Sequence, residues 1–226
     1  FPYHWPVIGY MEDLNTATME DVQNFFKTWY APANASIVVA GDFELTRAKD
    51  LIEKYFASIP SAKKPLGLSS VFTDYNSGEK REVLTDNVQF PRIFMAYHLP
   101  PFGEQDTYTA DLITDLLSVG KRGRLYRSLV YEKQIALDAQ SILLPMQNTS
   151  LMIIMATPKP GISAKQIENE LQIELDMLAL EKVDKKDLQR LQNQAEARKL
   201  RELQSIASRA DYLNMFAVYF DEPELI

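Results

Sequence analysis

The chain has 226 residues, with 24 basic and 31 acidic side chains and a formal net charge of −7. That balance disfavours a nucleic-acid partner, because the phosphate backbone is bound by Lys and Arg displacing counterions. With no cysteine there are no disulfides, thiolate metal sites or thiol nucleophiles, and no apolar run approaches the ~20 residues that cross a bilayer as a helix.

In chain order, residues 1–13 (FPYHWPVIGYMED) read as an ordered extended or turn segment, because proline fixes φ and donates no N–H. Thr18 opens a helix, with Asp21 three residues on in a capping-box arrangement. Val22, Phe25, Phe26 and Trp29 are its expected buried face, and Pro32 ends it. Residues 34–42 (NASIVVAGD) form a short β-branched run between turn residues, which predicts a buried strand. Residues 45–59 predict an amphipathic helix with Leu51, Ile52, Tyr55 and Phe56 inward. A stretch rich in Pro, Gly and Ser follows and reads as a linker carrying a domain boundary.

Residues 81–84 and 91–99 read as strands, the second alternating Ile93, Met95 and Tyr97 against Phe94, Ala96 and His98. Residues 107–137 (TYTADLITDLLSVGKRGRLYRSLVYEKQIAL) predict a helix, a turn marked by Gly120 and Gly123, a second helix and the start of a strand. Residues 136–144 and 150–157 predict two antiparallel strands joined through PMQN. Ser163 caps a helix whose inward face holds Ile167, Leu171, Leu175 and Leu178. One long final helix is expected from Asp184, its apolar face running from Leu188 to Ala217. The pattern is α+β, an antiparallel sheet with helices on one face.

Few side chains invite chemistry. His4 and His98 are the only histidines; both read as packed or surface residues, and neither is assigned a metal. No histidine is placed to activate a serine. GKRG follows a helix, not a strand, and so lacks the context of a phosphate loop. Asp111 and Asp115 share a helix face at i and i+4 and are expected to be solvated on its outer side. Arg124 and Tyr126, in RGRLYR, are the candidates for facing a substrate; Lys121, Arg122, Arg124 and Arg127 otherwise form a solvated basic turn.

Three blocks, FPYHWPVIGYMEDL, YAPANASIVVAGDF and GKRGRLYRSLVYEKQIA, resemble the insulinase/pitrilysin-type zinc peptidases, in the branch like mitochondrial processing peptidase. The likeness covers essentially the whole chain. It implies a fold of repeated α+β domains, as in the LuxS and processing-peptidase metallohydrolases. It also implies that an H-x-x-E-H zinc motif and its distant Glu ligand lie upstream of Phe1. On this resemblance the chain is an internal fragment. Residues 1–60 are the end of the first, zinc-type domain and 61–79 a linker. Residues 80–226 are a degenerate second copy, cut short at its C-terminal end. Asp111 and Asp115 then stand on the helix corresponding to the zinc helix, without imidazole or a general base.

The family also uses an Arg and a Tyr, seven residues apart, to hold substrate. Those positions here are Val130 and Leu137, both apolar. The resemblance therefore implies a non-catalytic part of a zinc metalloendopeptidase, with zinc in the intact protein and neither catalytic nor metal residues in this segment. Its partners would be the upstream zinc domain or a partner subunit, and a peptide substrate. The alternative is a pseudo-enzyme or assembly subunit that binds peptides or scaffolds a catalytic chain. The sequence does not set the compartment; the resemblance points to the bacterial periplasm or envelope, with the cytoplasm as the other choice.

Overall fold

A three-stranded antiparallel sheet organises the larger part of the computed structural model, which describes residues 3–67 and 78–226. The strands are β1 (Ile93–Leu99), β2 (Ala136–Leu144) and β3 (Ser150–Pro158), in the order β1–β3–β2. β2 and β3 form the expected hairpin, with Leu144 opposite Leu151. The predicted alternation of β1 holds: Ile93, Met95 and Tyr97 pack towards the core and Phe94 points outward. The chain divides into two compact units, Phe1–Thr73 with Leu200–Ile226, and Asp74–Lys199.

In the unit holding the sheet, α4 (Gln105–Ser118) and α5 (Ala164–Leu180) supply the helical layer. Leu117, Leu125, Leu129, Ile154, Ile167 and Leu171 form one fully buried cluster. Each such side chain contributes about 1.5–3 kcal/mol through removal from water. α5 begins where Ser163 predicts, its Oγ accepting from the Gln166 N–H at 3.1 Å. α4 ends before Gly120, whose φ of +63° only glycine adopts without strain. Its last turn is pinned to β2 by Ser118, whose Oγ lies 2.8 Å from the Ser141 Oγ, while the Ser141 hydroxyl donates to the Thr114 carbonyl at 3.1 Å.

The segment before β1 does not form the strand expected at 81–84. The Arg81 guanidinium instead donates to Glu79 and, at 2.7 Å, to Glu168 on α5. The single long terminal helix is also replaced, by α6 (Lys185–Glu202) and α7 (Ile206–Phe220). The break falls at Ser205, whose Oγ accepts from the Ser208 N–H. A hydroxyl that can cap a new helix competes with helix continuation.

The other unit contains α1 (Met11–Thr16), α2 (Met19–Trp29), α3 (Leu45–Phe56) and α7. α1 lies partly in the stretch expected to be non-helical. α2 carries the complete capping box: Thr18 Oγ1 accepts from the Asp21 N–H, and the Thr18 N–H donates to Asp21 Oδ2 at 2.8 Å. The expected burial is not found. Val22, Phe25, Phe26 and Trp29 are exposed, as are Leu51, Tyr55 and Phe56. Residues 34–42 pair with no strand among the described residues, and Ile37 and Val39 are about half exposed. A strand exists only with a neighbour to take its backbone groups. Within this unit the Ser36 hydroxyl bonds to the Asn214 side chain on α7.

Two measurements follow from these contacts. At Gly123 an added Cβ would lie 2.7 Å from the Ser118 carbonyl carbon and 2.8 Å from the Leu117 oxygen, both backbone atoms. Gly123→Ala is expected to destabilise the sheet-containing unit by about 1–3 kcal/mol, read as a lowered urea midpoint. Hydrogen bonds from Arg81, then Lys165, hold the Glu168 carboxyl down at about 2, against a usual 4.5. A lowered pKa means that the pair stabilises the fold above pH 4.5 and that this contribution is lost as the pH falls towards 2. Glu168→Gln should flatten the stability profile in that window, and an unchanged profile would remove the tether.

Candidate functional site

The turn and second helix of the 107–137 segment hold the candidate site. The turn folds back on α4 because Gly123 has no side chain, and Leu125 and Leu129 thereby enter the core. The second helix, Tyr126–Glu132, is wound as a π-helix, not the α-helix expected. The Lys133 N–H donates to the Ser128 carbonyl five residues back. Such i→i+5 winding is rare and is frequently found at functional sites.

This winding changes which side chains meet. At about 100° per residue, positions five apart on an α-helix point about 140° away from each other. On a π-helix, whose turn is longer, they come much closer to one face. Arg127 and Glu132 accordingly form an ion pair at 2.7 Å, and the Glu132 hydrogen bond holds the Arg127 guanidinium above its ordinary pKa. Tyr126 and Tyr131, also five apart, line a hollow of about 490 Å³ together with Lys121 and Arg127.

Of the two predicted substrate-facing residues, Tyr126 lines this hollow, whereas Arg124 is half-buried beside it and not part of its lining. Lys121, Arg127 and Tyr131 were not singled out as ligand contacts; the signal for them is the winding, which sequence periodicity does not resolve over seven residues. Val130 is half-buried against the core cluster. Leu137 is exposed at a β-bulge, where the β2–β3 register shifts between Ala136 and Asp138. Gln134, between the π-helix and β2, has a φ of +53°. The segment thus carries three backbone irregularities within twelve positions. His98 is exposed on β1, and the His4 ring lies against Trp5 with centroids 3.6 Å apart.

The acidic pair on α4 is not left to solvent as expected. The Arg198 guanidinium on α6 donates through NH2 to Asp111 Oδ2 at 2.9 Å and through NH1 to Asp115 Oδ2 at 2.9 Å. Asp115 is buried. One planar cation thereby satisfies two carboxylates that would otherwise repel. These residues do not fit a zinc ion: nitrogen or sulfur ligands are absent, and both carboxylates are already engaged by a cation. Among the described residues no group of three or more His, Asp or Glu side chains converges as a metal site.

The fold is an α+β domain whose α4 is tied to α6 by an internal ion pair. The chain belongs to the family described as the peptidase M16 inactive domain, whose model matches residues 16–195. It is 27% identical over 99% of its length to the zinc protease PqqE of Helicobacter pylori, of which it covers 50%. The chain therefore spans about half the length of that relative. Among solved structures, a protease from Helicobacter pylori aligns at TM-score 0.79 and 27% identity, covering 99% of this chain and 55% of that one. A peptidase M16 inactive domain from Pseudomonas fluorescens aligns at 0.73 and 18% identity, covering 96% of this chain and 51% of that one, and shares the fold.

Arg198→Met removes the cation and leaves Asp115 buried without its partner. The expected cost is about 1–3 kcal/mol, measured by urea unfolding. Asp111→Asn, at the more exposed carboxylate, should cost less.

Proposed function

We propose that this chain is the non-catalytic portion of a zinc metalloendopeptidase and forms part of the wall of a chamber that encloses peptide. The observation that carries this reading is the Asp111–Arg198–Asp115 arrangement, where a guanidinium occupies the acidic pair on the helix corresponding to the zinc helix. Membership of the inactive-domain family and the likeness to a protein named as a zinc protease support it. Zinc chemistry then belongs to residues outside this chain, either an upstream zinc domain or a partner subunit of the same family.

In this reading residues 80–226 are the inactive domain, 61–79 a linker, and 1–60 the end of the zinc-type domain. The uncovered apolar faces of α2 and α3 support the last assignment, since amphipathic helices of this kind are completed by further polypeptide. The outer face of the sheet exposes Phe94, Ile142 and Leu144, an apolar surface suited to enclosing peptide. Substrate is not gripped through the family's Arg–Tyr pair, because Val130 and Leu137 stand in those positions. An Arg contact there would contribute about 1.5–3 kcal/mol.

The test uses the chain on its own. After dialysis against a weak chelator it should retain no stoichiometric zinc, measured by metal analysis, and should not cleave a fluorogenic peptide with or without added zinc. Tightly held zinc in a one-to-one ratio would overturn the assignment of the metal to other residues.

A further inference from the structure

The basic turn stands apart from the rest of the chain. Between Leu116 and Tyr131 there is no acidic residue and there are four cations, in a protein whose net charge is −7. Arg127 is paired with Glu132, and Glu174 and Asp187 also act on it. Among the described residues Lys121, Arg122 and Arg124 form no ion pair. Lys121 is therefore the uncompensated cation at the hollow it shares with Tyr126, Arg127 and Tyr131. The two tyrosines are brought to one side by the π-winding, so the irregular backbone and the hollow have the same origin.

We propose that this hollow is a subsite for a carboxylate of a bound peptide, either an acidic side chain or a free C-terminus. The Lys121 ammonium supplies the main charge, and the Arg127 N–H groups not committed to Glu132 supply further donors. Tyr126 and Tyr131 form aromatic walls whose hydroxyls can donate to the same oxygens. Two ring faces favour an anion carried on an organic chain over a small, strongly hydrated ion, because burying the attached methylenes against the rings adds apolar contact. The proposal rests on the reading that this chain meets peptide, and it gives that peptide a chemical preference.

The experiment is a fluorescence-anisotropy titration of the whole chain with a rhodamine-labelled peptide that has an internal Glu and a free C-terminus. Three analogues accompany it: Glu→Gln, C-terminal amide, and both together. The acidic peptide should bind about threefold to tenfold more tightly than the doubly neutralised one, with the difference shrinking as salt is raised. Whichever single neutralisation removes the preference identifies the source of the carboxylate. Lys121→Glu should abolish the preference for the acidic peptide over the doubly neutralised one. Tyr131→Ala, at an exposed position, should weaken binding of the acidic peptide. Equal affinity for acidic and neutral peptides, or a preference that survives Lys121→Glu, overturns the carboxylate subsite and leaves the chamber reading standing. Failure of all four peptides to bind overturns both.

Discussion

The sheet-containing unit depends on one close approach. Gly123 passes 2.7 Å, measured from where a Cβ would sit, from the backbone of Ser118. No other residue type allows the chain to double back so tightly. That reversal places Leu117 at the end of α4 beside Leu125 and Leu129, and all three meet Ile154 of the central strand in one cluster. The same reversal leaves Lys121 and the outward residues of the π-helix on the surface. Core and candidate site are therefore two sides of one turn. The buried leucines fix its inner side, and the polar groups stand on its outer side.

The two units show how far local signals carry a helix. α2 forms with a complete capping box and α3 without a side-chain cap, both with clear amphipathic spacing, yet neither buries a residue. Capping and first-turn charge act over a few residues and need no tertiary partner. Most helical stability in proteins nevertheless comes from packing of the apolar face. The apolar faces of these helices leave Phe25, Phe26, Trp29 and Phe56 in the open, so their local signals are not matched by packing within the described residues. The same holds more strongly for residues 34–42, because an isolated strand has no local hydrogen bonds to fall back on.

This contrast explains what was legible in the sequence. α4, β1, β2, β3 and α5 were readable because their period of apolar residues, their glycines and Ser163 state the local answer, and tertiary packing agrees with it. The strands at 34–42 and 81–84 were not, since strand formation is decided by partners that no local pattern reveals. The break between α6 and α7 was missed because an apolar face stepping by three and four continues across Ser205 while the backbone does not. The π-winding of Tyr126–Glu132 leaves too few apolar positions to separate one helical period from another. The role of Asp115 was hidden for a different reason: its partner, Arg198, lies 83 residues away, and charge pairing at that separation leaves no local trace.

That pair also shows how this chain balances two carboxylates on one helix with a side chain of its own. Carboxylates at i and i+4 on one helix repel each other, and Asp115 is buried, so some cation has to stand against them. A metal would do this only with nitrogen or further oxygen ligands converging from other elements, and every one of those ligands would be constrained. A guanidinium needs none of them. It is always protonated, and its planar fork reaches both acids at 2.9 Å from the neighbouring helix. The requirement for charge balance is then met within the chain by α4 and α6.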